Sequence, residues 1–97
     1  MKVLAEEAWS WMLVEHERSL LFTVLCGGIA MYSVDFALSE TEQASYEQKG
    51  RPYLQHLARD VTLAPDTFHP RVIQGFDALP GLQEAVAAWR ASNVAAP

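Results

Sequence analysis

The strongest constraint on this sequence is the stretch at residues 19–38, where two apolar runs flank Gly27-Gly28. Residues 19–34 carry no charge, so a membrane-spanning helix has to be weighed against a pair of strands. A spanning helix needs about 20 apolar residues, whereas Asp35 ends this run early and the glycine pair interrupts it. The runs are also rich in β-branched and aromatic residues, which favour strands. We therefore predict two antiparallel strands joined by a turn, and no membrane segment.

Side-chain alternation sorts these two strands into faces. On one face, the apolar set is Leu20, Phe22, Val24 and Cys26 in the first run, and Tyr32, Val34, Phe36 and Leu38 in the second. A two-residue loop would separate the two sets, whereas an odd-length loop joins them on one buried face. We therefore favour a three-residue loop that ends at Ile29 and pairs Val24 with Tyr32.

A further strand is predicted before these two, at residues 9–15. The residues before it, 2–8, are interpreted as a short helical turn or a lead-in, because two adjacent glutamates favour the surface. A turn at His16-Glu17 pairs Trp11 with Phe22. The tryptophan then lies on the face already assigned to the core, and this agreement between two turns supports the meander.

Helical signals fill the second half of the chain. The segment 39–42 matches a capping box, in which two side chains satisfy each other's backbone N–H groups. The apolar spacing that follows predicts a helix over residues 40–61, kinked near Pro52 because a proline inside a helix removes a backbone hydrogen bond. A proline-rich loop covers residues 62–80, with at most one turn and one short strand. A C-terminal helix is predicted at about residues 80–92.

Together these elements predict an α+β fold in one globular domain over residues 1–97. Its sheet is a three-stranded antiparallel meander at about residues 9–15, 19–26 and 30–38. The chain has 97 residues, of which 51% are hydrophobic and 20% charged, and this composition is typical of a folded domain. A domain of this length can bury only a modest hydrophobic core, so each buried side chain matters to its stability.

The charge and cysteine content bound the class of partner and the compartment. A net charge of -5 opposes nucleic-acid binding, which needs clustered Lys and Arg, and suits either solubility or a basic protein partner. The single cysteine cannot form an internal disulfide, and Glu6 and Glu7 interrupt any secretory apolar stretch. We expect a cytoplasmic location.

The chemical signals are weak. Cys26 beside the glycine pair could act as a nucleophile with His56 or His69 as its base, but no recognised spacing links them, and a small buried hydrophobe is the commoner role. The histidines and the cysteine also lack the spacing of a metal site. Ser33 and Asp35 are interpreted as marking the less buried sheet face. We expect no metal and no cofactor, and a non-catalytic protein is favoured over an enzyme.

Two classes of function fit these observations. The first is a small, acidic, non-catalytic protein–protein interaction module, such as an adaptor, an inhibitor or an immunity-type protein. The alternative is a small-molecule-binding protein or an enzyme, with a pocket between the end of the sheet and the loop at residues 62–75. That pocket would use Cys26, His69 and Arg71.

The second face of the predicted sheet is too apolar to be exposed only to water. Its apolar members are Met12, Val14, Leu21, Leu25 and Met31. A solvated antiparallel face normally alternates to polar residues, and contiguous apolar patches mark contact sites. Either the C-terminal helix or a second copy of the chain covers this face. Because a two-fold dimer is the commonest self-complementary assembly, we predict a homodimer whose interaction surface comprises Met12, Leu21, Leu25 and Met31.

Overall fold

The computed structural model describes residues 1–7, 10–27 and 32–92. One antiparallel sheet contains four strands in the order β1 Lys2–Glu7, β2 Trp11–His16, β3 Ser19–Cys26 and β4 Tyr32–Ala37. The helices are α1 Glu40–Lys49, α2 Arg51–Leu63, α3 Pro65–Phe68 and α4 Leu82–Ser92, with 3₁₀ turns at His69–Arg71 and Phe76–Ala78. An α+β fold with an antiparallel sheet followed by helices is therefore confirmed.

The number of strands corrects the sequence-based prediction. Residues 2–7, predicted as a lead-in, form β1 and pair with β2. A shift in register between Val3 and Ala5 places these two buried side chains on opposite faces of the sheet, as expected of a β-bulge. The bulge and the two glutamates hide the alternation that would have identified this strand. Trp9, at the predicted start of the next strand, lies outside the described residues.

The hairpin between β2 and β3 turns one position later than predicted. His16 pairs with Ser19, so Glu17 and Arg18 form the turn, with φ angles of 48° and 67°. Two central residues with positive φ are typical of the type I′ turn, whose twist matches a two-residue hairpin. Trp11 consequently pairs with Val24 and not with Phe22. Because the register differs by two positions, the face assignment is unchanged.

The β3–β4 connection is longer than predicted by two residues. Cys26 pairs with Tyr32 and Val24 with Val34, so residues 27–31 connect the strands, of which 28–31 lie outside the described part. The length remains odd, and the predicted core face is kept. Tyr32 is the exception, because it lies at the end of the strand and is 49% exposed.

The predicted kinked helix is two helices. Gly50 separates α1 from α2 with φ 69° and ψ -146°, a conformation that is not helical and favours glycine. Pro52 lies in the first turn of α2, where its missing N–H costs nothing. The capping box at Ser39 and Glu42 is present, with both reciprocal hydrogen bonds.

Each face of the sheet packs against its own helices. The first face, covered by α2, holds a large cluster that includes Leu13, Phe22, Val24, Phe36, Leu54 and Val61. The second face holds a smaller cluster of Val3, Val14, Phe76 and Leu82, onto which Ala85, Val86 and Trp89 of α4 pack. The predicted apolar stripe of the C-terminal helix therefore covers part of the second face.

Candidate functional site

The second face is built from cross-strand rows that change from apolar to polar. One row runs from Val3 through Val14 and Leu21 to Ala37, and its first three members are buried. The next row runs Glu6, Met12, Thr23 and Asp35, and beyond it Leu25 pairs with Ser33. Only one of the residues in these last rows, Met12, packs against the cluster under α4, and it is partly buried. We call this part of the sheet the open end of the second face; it comprises Met12, Thr23, Leu25, Ser33 and Asp35.

The open end borders a shallow hollow with a volume of about 200 Å³. Half-buried Met12 and Leu25 lie at its floor, with Ser33 at its rim. Arg90, in the last turn of α4, donates to Glu6 at 2.8 Å and closes the side nearest β1. Apolar side chains in the centre and charged groups at the rim are the arrangement found in protein interfaces.

Asp35 is the centre of a polar cluster on β4. The Thr23 hydroxyl donates to one carboxylate oxygen at 2.5 Å, and the Ser33 hydroxyl donates to the other at 3.2 Å. None of the four ion pairs among the described residues includes Asp35. Within residues 1–7, 10–27 and 32–92, the side-chain partners of this carboxylate are the two hydroxyl groups, and this leaves it able to accept a further hydrogen bond from a cationic group.

The cluster has no histidine that could serve as the base for a serine nucleophile, as in a Ser–His pair. All three histidines are described, and they lie elsewhere: His16 pairs with Ser19 at the opposite end of β3, His56 is on α2, and His69 begins a 3₁₀ turn. A catalytic role for Ser33 therefore has no geometric support. Across residues 1–7, 10–27 and 32–92, no group of three or more His, Cys, Asp or Glu could hold a metal ion.

The predicted interaction residues divide between covered and open positions. Leu21 is buried at 6% exposure within a single chain, so it cannot lie at the centre of a surface. Met12 and Leu25 are half-buried at the open end, whereas Met31 lies outside the described residues. The part of the predicted surface that remains accessible is therefore Met12 and Leu25.

The residues of the alternative pocket do not come together. Cys26 is buried opposite Tyr32, whereas Arg71 donates to the carbonyl oxygen of Ala37. From Tyr32 to Ala37 is the length of β4, roughly 16 Å at the usual rise per residue. Burial also raises the pKa of the Cys26 thiol, which opposes the thiolate form that a nucleophile requires. His69 is exposed on the same 3₁₀ turn as Arg71, and the pocket remains a prediction without support from this geometry.

Arg71 has structural partners. Its guanidinium lies 4.8 Å from the centre of the Phe36 ring and donates to both carboxylate oxygens of Glu42 at 2.6 and 3.0 Å. Burial alone would raise the pKa of Glu42, but the hydrogen bonds from Arg71 and from the Ser39 backbone outweigh it and lower that pKa. Arg71 thus ties the start of α1 to the end of β4.

Two further hollows of about 460 Å³ each lie away from the open end. One is between β1 and α4, and includes Val3, Leu4 and Trp89; the other follows α2 and includes Tyr53 and His56. His56 was considered as a possible base for Cys26, but neither hollow contains Cys26, His69 or Arg71. Among the described helices, none has the length and apolar character needed to cross a membrane.

Sequence reasoning missed the link between Asp35 and Thr23. Alternation places Ser33 and Asp35 on the second face, but the predicted register puts Asp35 opposite Leu21, whereas the observed partner is Thr23. Only the length of the β3–β4 connection distinguishes these registers. Comparison of the chain with protein-family models, curated proteins and solved structures finds no match, so the function has to be argued from this geometry.

Proposed function

We propose that this protein is a small, acidic, non-catalytic protein–protein interaction module whose contact surface is the open end of the second face. The observation that carries the proposal is the incomplete cover of that face. α4 packs over the apolar row at Val3 and Val14, and leaves Leu25 half-buried beside polar groups. A larger helix or a partner would complete this layer.

The chemistry of the open end favours a protein over a small molecule. Its hollow is shallow and holds about 200 Å³, less than the 300–1,000 Å³ that is usual for a ligand pocket. Its apolar centre and charged rim instead match a protein contact. The net charge of -5 adds long-range attraction for a basic partner.

Homodimerisation remains a prediction, but the centre of the predicted dimer contact has to shift away from Leu21. Since Leu21 is covered within one chain, a two-fold contact would use Leu25 and Met12, and the predicted contribution of Met31 lies outside the described residues. An adaptor, inhibitor or immunity-type role would instead bring a different protein to the same residues, and a cytoplasmic location suits either role.

Introducing a charged residue at Leu25 tests this surface. Leu25→Asp should abolish either the dimer or a stoichiometric complex, because it places a carboxylate in the apolar centre of the contact. Leu63→Asp is the matched control, since Leu63 is 73% exposed on α2, which packs on the first face. Light scattering at micromolar concentration measures the mass and so detects the dimer. Co-purification from the native host, followed by mass spectrometry, detects a partner protein.

The two outcomes separate cleanly. The proposal predicts that the wild type and Leu63→Asp retain the assembly and that Leu25→Asp loses it while remaining folded by circular dichroism. A wild-type protein that is monomeric and co-purifies with no stoichiometric partner would overturn it.

A further inference from the structure

A hollow lies between β1 and α4, far from the open end, and we call it the β1–α4 hollow. The side of α4 that borders it has the helical spacing i, i+3, i+4 and i+7, and comprises Ala85, Ala88, Trp89 and Ser92. Three of these four side chains are short. On the opposite side, the β-bulge inserts one extra residue, Leu4, into β1. A space of about 460 Å³ therefore remains between the helix and the strand.

The size and lining of the β1–α4 hollow suit a small apolar molecule. Its volume falls within the 300–1,000 Å³ that is usual for a ligand pocket, unlike the hollow at the open end. Val3 is buried, and Leu4, Ala85 and Trp89 are half-buried where they line it. Each CH₂ group that a ligand buries fully against such a surface strengthens binding by about a factor of four.

Contacts beside the hollow set the distance between α4 and β1. Arg90, the residue after Trp89, donates to Glu6 of β1 at 2.8 Å. Leu82 and Val86 pack into the second-face cluster and hold the preceding turns of the helix. The space is therefore present before a ligand arrives, which lowers the ordering cost of binding.

The charge of the hollow comes from Lys2. Among the described residues that line the hollow, Lys2 is the one with a charged side chain. The acids further along β1, Glu6 and Glu7, are paired with arginines. Glu15 lies opposite Lys2 in the strand register, but neither residue takes part in the four ion pairs of the described chain. The Lys2 ammonium, on its flexible four-carbon stem, is thus available to an anionic group at the mouth of the hollow.

From this arrangement we propose that the β1–α4 hollow binds a medium-chain fatty acid, with its hydrocarbon chain against Leu4 and Trp89 and its carboxylate at Lys2. The apolar walls supply the affinity, and the single cation supplies the preference for an anionic head group. The net charge of -5 repels such an anion from the rest of the surface, so Lys2 determines which end of the ligand lies at the mouth. This site is separate from the open end and goes beyond the proposed interaction function.

Octanoate, titrated into ¹⁵N-labelled protein at neutral pH, tests the occupant. We expect saturable shift changes at the amides of Val3 and Leu4 and at the indole N–H of Trp89. Octylammonium has the same chain with the opposite charge and should bind at least about threefold more weakly, because an exposed charge pair contributes a factor of that order. Lys2→Met keeps most of the side-chain length without the charge, and should remove this preference.

A pair of variants on α4 locates the binding site. Ala88→Phe places a ring in the hollow from an exposed position, and should weaken octanoate binding at least about tenfold, roughly the loss of two buried CH₂ groups. Ala91→Phe is the matched control, because Ala91 is also exposed on α4 but does not line the hollow. Circular dichroism checks that both variants fold. Should Ala88→Phe fail to fold, Lys2→Met and the two head groups still decide.

The proposal is overturned if octanoate produces no saturable shifts at these groups, if octylammonium binds as tightly, or if Ala88→Phe leaves octanoate binding unchanged. It is also overturned if octanoate binds only after residues 93–97 are removed, because the C-terminal tail then occupies the hollow. A dimeric wild type that Ala88→Phe converts to a monomer, with no octanoate binding, would assign the hollow to a second copy instead. None of these results bears on the Leu25→Asp assay, so either proposal can fail without the other.

Discussion

The two faces of the sheet differ in how completely they are closed. On the first face, a row of aromatic rings crosses the sheet from Trp11 through Phe22 and Phe36 to Phe68, with ring centres 5.2 to 5.9 Å apart. Arg51 lies over the Trp11 ring at one end of the row, and Arg71 lies over the Phe36 and Phe68 rings at the other. The second face has a smaller cluster at one end and polar or half-buried side chains at the other. This contrast separates the closed core of the first face from a second face whose side chains are only partly covered.

The largest difference should appear when the same truncation is made on each face. Phe22 is fully buried in the centre of the sheet, so Phe22→Ala should cost about 3–5 kcal/mol of unfolding free energy through lost burial and a cavity. Phe76 lies in a short 3₁₀ turn that can move inward, and Phe76→Ala should cost less than about 3 kcal/mol because the site collapses more readily. Urea denaturation measures both. An equal or larger loss for Phe76→Ala would contradict the comparison.

The ion pair at the end of the first face should produce a pH-dependent stability. The folded-state pKa of Glu42 is lowered from 4.5, so its contribution is fully present above that value and is lost as the pH falls through the folded-state pKa. Because Arg71 and Glu42 are partly exposed, with side-chain exposures of 35% and 15%, we expect Glu42→Gln to cost about 1–2 kcal/mol at neutral pH. The variant should lose less stability than the wild type between pH 6 and 3, roughly the range over which such a carboxylate titrates. Urea titrations at the two pH values check this, and parallel pH profiles would count against the ion pair.

The smallest effect concerns the helices over the first face. Pro52 lies in the first turn of α2, where its ring fits the backbone and restricts the unfolded chain. Pro52→Ala should therefore destabilise the protein by about 0.4–1 kcal/mol. A thermal melt measures the change, and a rise in melting temperature would mean that the ring strains this turn.

Sequence patterns identified the faces of the sheet better than its connections. Phe22, Val24 and Phe36 were predicted on one buried face, and they are fully buried. This prediction survived two register errors because each error was two residues, which preserves alternation. The registers themselves depend on turn geometry. The positive φ angles of Glu17 and Arg18 occur at residues that rarely favour them, so no sequence signal marked that turn.

The cover of the second face could not be read from the sequence. The apolar stripe of α4 predicts that this helix packs against another part of the protein. It does not predict which part, because the preceding loop determines where the helix lies. Phe76 and Ile73 contribute to that path, one in the second cluster and one at the β4 edge, and both lie in a segment predicted as loop. The open end follows from this path and not from any motif. The pairing of Thr23 with Asp35 was missed for a separate reason, because it depends on the length of the β3–β4 connection.

Amide hydrogen exchange along β4 tests the account most directly. The measurement is made on the protein alone at low micromolar concentration, with the exchange of single amides read by NMR or by fragmentation mass spectrometry. The amides of Val34 and Phe36 pair with β3 and should be protected, whereas the Ser33 amide faces the outer edge and should exchange at least about tenfold faster. Protection of Ser33 equal to that of Val34 would mean that the outer edge of β4 is already covered, and would contradict the account of β4 as the exposed edge of the sheet beside the open end.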